Sequence, residues 1–421
     1  MAHEEIEKST DTCCTDRRGF LQASAVATAT AATAGIGLSP ELSAQEAKPA
    51  PVLPMRPLGK TGAKITLLEL GTGVNSPFVA KAMRLSYARG VRTFDTAHKY
   101  GTEPAYKEWF ESSPGVRKEI FLVTKDTPKV PSQIPAMVDQ RLEALGTDYI
   151  DLFMIHQFGD DHKLDDAIRM IKSKEFKEAA DKVRKSGKSR FIGFSTHHKD
   201  RAAIIQAAAE AKIVDAIMLM YSPWLEDDQP LNRALDTCHK NGIGLISMKQ
   251  VAGGFPKGAK TNSLDEIQKR VPTLKEKNLT PYQGLLHAIW TDERISGSCV
   301  SMRTTEQIRD NSDAAGRYAP LKTAELKQLR DAFLAAGPTL CASCDGRCSE
   351  AAGTRAELGN LTRFLTYHEF HGDRSKARAE YAKLDKDARD WSGADLDAAR
   401  EACPNKLDFA SLLPDVDKYL A

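Results

Sequence analysis

Apolar residues in this chain recur in short blocks closed by polar ones, and the blocks alternate with stretches of helical spacing. Residues 67–70, 91–94, 120–124, 150–155, 191–194, 216–220, 244–247 and 298–301 are compact apolar runs of the kind found in strands buried on both faces. Between them, residues 78–88, 132–144, 201–210, 231–239 and 281–290 space their apolar side chains as amphipathic helices do. Eight strand-like runs, each with a helix after it, predict an α/β fold, a closed (β/α)8 TIM barrel. An open doubly wound sheet is the alternative. Gly71-Thr72-Gly73 is followed by Val74, Asn75 and Ser76, so the third glycine of a dinucleotide fingerprint is missing after the first strand. Residues 55–62 read as a hairpin leading into that strand.

The pattern changes at both ends. In residues 1–44, Asp16-Arg17-Arg18-Gly19-Phe20-Leu21 precedes an Ala/Thr-rich, weakly apolar stretch, with Leu42-Ser43-Ala44 as a cleavage neighbourhood. This resembles a twin-arginine signal peptide, which implies export, here to the periplasm, and no stable membrane span after cleavage. A frayed surface arm is the alternative. Residues 45–54, with three prolines from Pro49 onward, read as a linker. Residues 55–336 are assigned to the barrel and 337–421 to a small helical appendage containing cysteines. The 421 residues are 41% hydrophobic, enough for a barrel core, and the net charge of +2 without a basic-aromatic patch gives no case for nucleic acid.

The polar residues that close the strand runs carry the chemistry. Asp95 ends the second run and Tyr100 follows five positions later, just before Gly101. Lys125 ends the third run and His156 the fourth, so four ionisable groups fall at the carboxyl ends of three successive strands, where such folds place their sites. A tyrosine serves as a proton donor near neutral pH if a cation draws its pKa down from about 10, and Lys125 is the candidate cation.

The Phe94-Asp95-Thr96-Ala97-His98-Lys99-Tyr100-Gly101 stretch, with Lys125 and His156, resembles the aldo-keto reductase tetrad. Residues 141–152, from Arg141 to Leu152, are similar to that family's approach to its histidine, and residues 187–195 to its fifth strand. The resemblance covers roughly 55–315. It implies NADP(H)- or NAD(H)-dependent reduction of a small-molecule carbonyl or sugar-like substrate, or the reverse oxidation. Tyr100 would protonate the oxygen, Lys125 would stabilise the tyrosinate, Asp95 would hold Lys125, and His156 would orient the substrate.

For the cofactor, Ser195, Thr196, Arg303, Gln307 and Asn311 are the implied binding residues, with Arg303 suited to a 2′-phosphate. The cofactor wall departs from the family pattern. Thr196 stands for an asparagine, Met218 for a glutamine, and Met248 for a stacking aromatic, with Lys249 beside it. Among the other candidates, His197 reads as a pocket residue, His198 as surface, and His368 with His371 as an ordinary surface pair. Cys238 and Cys299 read as small buried hydrophobes.

The last region holds Cys341, Cys344, Cys348 and Cys403, a C-x2-C-x3-C run followed by a distant Cys-Pro. Clustered thiols with a distant Cys-Pro suit one [4Fe–4S] cluster, as in a ferredoxin-like tail of one branch of the family; two disulfides and zinc are the alternatives. Leu361, Phe364, Leu365 and Phe370 are expected to pack on the barrel. A different class of function remains beside the reductase, an electron-relay module with an electron-transfer partner, or a sugar-like-ligand binder with little turnover.

Overall fold

The computed structural model describes residues 51–73, 77–198, 200–224, 230–250, 263–335, 341, 346–369 and 374–421. Residues 1–50, with Arg17 and Arg18, and also Cys344, Phe370 and His371, lie outside the described residues. Among the described residues no helix is long and apolar enough to cross a membrane.

Ten strands are described. β1 (Met55–Pro57) and β2 (Lys64–Thr66) form an antiparallel hairpin in which Met55 faces Thr66. The others are β3 (Leu68–Gly71), β4 (Thr93–Asp95), β5 (Phe121–Asp126), β6 (Ile150–Ile155), β7 (Ser189–Thr196), β8 (Ala216–Met220), β9 (Gly244–Met248) and β10 (Ile295–Val300). These eight close a parallel barrel in the order β10-β3-β4-β5-β6-β7-β8-β9, with helices on its outside. The expected (β/α)8 architecture is therefore present. The first barrel strand, expected over 67–70, is Leu68–Gly71, and Lys64–Thr66 before it turns back on β1.

Each strand has a period of two, which sorts its side chains between two cores. Leu68, Leu70, Phe94, Leu122, Phe153 and Ile192 point outward, into the large core shared with the helices. Phe121, Val123, Leu152, Met154, Met218, Ile246 and Met248 point inward, where Leu58, Ala63 and Ile65 of the hairpin region join them. The hairpin thereby plugs the amino-terminal end of the barrel. Lys60 N donates to Gly242 O at 2.7 Å, and an Arg56 guanidinium N–H donates to Ile295 O at 2.8 Å. Continuing the inward row upward by two residues leads from Val123 to Lys125 and from Met154 to His156. The chemistry of the mouth is thus an extension of the packing of the core.

The region after the barrel has its own core. Leu361, Phe364 and Leu365, expected to pack on the barrel, instead join Leu358, Phe409, Leu413 and Val416 in a separate cluster. The helices Leu358–Glu369, Arg374–Ala382 and Phe409–Leu420 supply most of it, and their mutual packing satisfies those apolar faces without the barrel. His368, expected at the surface, is buried here and stacks on Tyr419 with ring centroids 5.3 Å apart.

Barrel closure depends on one very close approach of strands. A Cβ built on Gly193 in β7 would lie 2.2 Å from the Ala216 carbonyl oxygen in β8. Gly193→Ala should force these strands apart and destabilise the barrel by about 3 kcal/mol. An unchanged urea midpoint would contradict that approach.

Candidate active site

Asp95, the last residue of β4, and Lys125, the penultimate residue of β5, stand on adjacent strands. Their side chains form a direct, buried ion pair, and Lys125 Nζ also donates to Thr96 O at 3.0 Å. Burial opposes the charge on Lys125, yet Asp95 and Tyr100 together hold its ammonium above the ordinary lysine range. Burial likewise pushes the Asp95 carboxyl up, against the pull of Lys125. The contact between the two groups and the extra acceptor on Lys125 favour the ionised pair.

Tyr100 closes a single 3-10 turn, His98–Tyr100, and Gly101 follows at φ 67°, a left-handed conformation that releases the chain into the helix Glu103–Ser112. The turn brings the Tyr100 ring 5.3 Å from Lys125 Nζ, measured to its centroid. The Tyr100 hydroxyl is 3.4 Å from His156 Nε2, with the two rings edge to face. All four residues expected from the sequence therefore meet at one mouth of the barrel.

The expected acidification of Tyr100 is not present in this state of the protein. Burial dominates over the Lys125 cation and pushes the phenol up to about 12. The phenol keeps its proton throughout the neutral range, which is the state a proton donor needs.

Several residues around the tetrad were not anticipated in these roles. Arg141 pairs with Glu103 at 2.6 Å and with Asp126 at 3.1 Å, and also touches His98. Glu103 in turn accepts from Thr124 Oγ1 at 2.8 Å, so this buried network braces the Tyr100 turn against β5. Glu69 lies inside the barrel, its two oxygens without a hydrogen-bond partner among the described residues. Burial, then the nearby Asp95, push its carboxyl well up. Cys299, read from the sequence as a small buried hydrophobe, lies beside the site. Its thiol crowds the position a Gly71 side chain would occupy and faces Asp95, and burial pushes it well above the usual thiol range. Gly71 is the signal that was available, since a residue without a side chain between two polar ones leaves a path from β10 across β3 to β4.

The residues expected to bind a cofactor are more dispersed. Ser195 is buried at the end of β7, and its Oγ accepts from Gln157 N at 3.2 Å. Thr196 Oγ1 accepts from His198 N at 3.2 Å and donates to Asp160 at 3.4 Å. Arg303 is exposed beside the N-terminus of the helix Thr305–Gly316, and no carboxylate pairs with it among the described residues. Gln307 folds back to accept from Arg303 N at 2.7 Å, and Asn311 lies half-buried on the same helix. An unpaired guanidinium beside backbone N–H groups of a helix start is a chemically suitable seat for a phosphate, so these residues fit a phosphorylated nicotinamide cofactor. His197 is half-buried at the mouth, as expected of a pocket residue. His198, expected at the surface, is buried, with its Nε2 3.3 Å from His162 O.

Of the four C-terminal cysteines, Cys348 and Cys403 are buried in the appendage core and Cys341 packs against it. Cys403 is a free thiol. Among the described residues no group of three His, Cys, Asp or Glu side chains is arranged to hold a metal.

Comparison with known proteins gives a consistent family. The family model described as "Aldo/keto reductase family" matches residues 66–333. The chain is 28% identical over 209 residues to the aldo-keto reductase yakc [NADP(+)] of Schizosaccharomyces pombe, covering 45% of this chain and 58% of that protein. It is 24% identical over 327 residues to the L-glyceraldehyde 3-phosphate reductase of Escherichia coli O157:H7, covering 64% and 90%. A solved aldo-keto reductase from Bacillus halodurans, in its holo form, superposes with a TM-score of 0.53 at 19% identity, covering 66% of this chain and 96% of that one.

The position of Tyr100 makes a measurable claim. The absorbance that ionises between pH about 10 and about 12 should be smaller in Tyr100→Phe than in the unaltered protein only near the upper end, because burial delays this phenol to about 12. Its folded value lies above its unfolded one, so its contribution to stability is complete below about pH 10 and is lost as pH rises through about 12. Phenolate signal from Tyr100 at pH about 10 would refute this reading.

Proposed function

The chain belongs to the aldo/keto reductase family, and we propose that it reduces a small-molecule carbonyl with NADP(H), using Tyr100 as the proton donor. The observation that carries this reading is the meeting of Tyr100, Lys125 and His156 above a buried Asp95. The cofactor, when bound, supplies the hydride. The chain's own residues have the remaining tasks. His156 Nε2 and the Tyr100 hydroxyl, 3.4 Å apart, converge on one point at which a carbonyl oxygen can accept from both. As negative charge grows on that oxygen, the Tyr100 proton moves to it, because an alcohol binds a proton more tightly than even this raised phenol. The tyrosinate left behind is stabilised by the Lys125 cation, and Asp95 keeps Lys125 protonated and aimed. Ser195 at the end of β7 and Arg303 at the helix start are the proposed contacts to the cofactor's two ends, with Thr196, Gln307 and Asn311 beside them.

Purified protein should bind NADPH and reduce short aldehydes. Tyr100→Phe should lower kcat by about three orders of magnitude while NADPH affinity stays within about two-fold. Equal turnover by the two proteins would remove Tyr100 from the mechanism.

For the tail, we propose one [4Fe–4S] cluster on Cys341, Cys344, Cys348 and Cys403. The support is the thiol spacing together with the gathering of Cys341, Cys348 and Cys403 around one apolar core. Export by the twin-arginine machinery is proposed from Arg17-Arg18, because that route carries folded, loaded proteins. Anaerobically prepared protein should contain about four irons per chain. Arg17→Lys with Arg18→Lys should hold that iron-bearing form in the cytoplasm. An iron-free protein would leave the cysteines to disulfides or zinc, and continued export of the double variant would end the twin-arginine proposal.

A further inference from the structure

The appendage has its own core, yet one face of its helix Leu358–Glu369 is spent on the catalytic mouth. Arg363 and Tyr367 are four residues apart and so share that face. Tyr367 Oη accepts from Lys249 Nζ at 2.7 Å, and the same ammonium lies 4.6 Å from the centre of the Tyr367 ring. Arg363, itself buried, donates to His197 O at 3.3 Å. Lys249 directly follows β9, and His197 directly follows β7. The helix therefore spans the β7-to-β9 side of the mouth, fixing the chain where it leaves each of the two strands.

Both fixed points are built segments. Lys249 has φ 55°, a left-handed conformation unfavourable for a residue with a side chain and one that persists where its surroundings enforce it. The turn around it is closed by Gln250, whose Nε2 donates to Ser247 O and to Ser247 Oγ, each at 2.9 Å. On the other side, His197 N donates to Asp160 Oδ1 at 2.9 Å. Burial raises the Asp160 carboxyl, and the His197 N–H, then Arg363, and also Lys249 act against that rise. Half-buried Asp160 thus ties the β6 loop to the end of β7, within electrostatic reach of Arg363 and Lys249.

We propose that Tyr367 and Arg363 are positioning residues of the nicotinamide end of the site, acting through Lys249 and His197. This rests on the cofactor use proposed above. Ser195 and Met248 face the barrel interior at the tops of β7 and β9, and the clamp holds the backbone immediately beyond each of them. Removing the clamp lets the Lys249 turn relax and the wall between β7 and β9 widen. The ligand that needs that wall is then held less well, while the chemistry of Tyr100, on the β4 side, is unchanged.

The test uses the full chain, NADPH, and the variants Tyr367→Phe, Arg363→Met and Arg363→Lys. Tyr367→Phe keeps the ring over Lys249 and removes one charge-assisted hydrogen bond, so the Kd for NADPH should rise about ten-fold. Arg363→Met should raise it comparably, and Arg363→Lys should recover part of the loss. In each case kcat at saturating cofactor should stay within about two-fold and Tm within about 3 °C, which separates positioning from general destabilisation. Amide exchange over residues 247–250 should quicken in Tyr367→Phe. NADPH affinity within about two-fold of the unaltered chain in both Tyr367→Phe and Arg363→Met would overturn the inference while leaving the cofactor reading intact. Failure of the unaltered chain to bind NADPH would overturn the cofactor reading, and this inference with it.

Discussion

Two opposite charges inside the barrel, on Asp95 and Lys125, constrain everything around them. Each ion loses several kcal/mol of hydration on burial, and removing one partner leaves the other exposed to that cost, about 3–5 kcal/mol. The pair is tolerable because adjacent strands deliver the two groups to the same inward face, Lys125 two residues beyond Val123, the register partner of Asp95, and Thr96 O takes a further Lys125 N–H. The same pair bears on Glu69, just below, whose carboxyl is raised first by burial and then by Asp95. It explains the Tyr100 turn as well. A lysine fixed by Asp95 can serve only a phenol brought to it, and the His98–Tyr100 turn, braced by Arg141 and Glu103, performs that delivery.

Much of the barrel was legible because its signals are local. The run 150–155 is the strand Ile150–Ile155, and 216–220 is Ala216–Met220, since continuous apolar runs bounded by polar residues leave few alternatives. The four tetrad residues were visible because each ends or closely follows such a run. What stayed hidden depends on contacts distant in sequence. Nothing around Leu361 or Phe364 says whether they meet the barrel or helices 45 residues further on, and they meet Phe409 and its neighbours. Buried His198 and His368 looked like surface residues for the same reason. The Tyr100 phenol was misjudged from a pairwise argument. A cation nearby lowers its pKa, but the desolvation around it, set by the whole mouth, is larger.

The two cores divide the labour of the chain. The Asp95–Lys125 pair, the Thr96 acceptor of Lys125 and the Tyr100–His156 contact are all made within the barrel. The appendage in turn organises its apolar side chains around itself. Among the described residues their meeting includes polar contacts of Tyr367 with Lys249 and of Arg363 with the His197 carbonyl. A polar contact of this kind between two self-sufficient cores can be altered by substitution without unfolding either one.

The hairpin at the amino-terminal end has a kinetic meaning. With Leu58, Ala63 and Ile65 filling the floor, the barrel is a well with a single opening. Anything that reaches Tyr100 and His156 must enter and leave through the mouth that the Leu358–Glu369 helix already borders. The route to the reacting groups is thus shaped by a hairpin at the far end of the barrel from them.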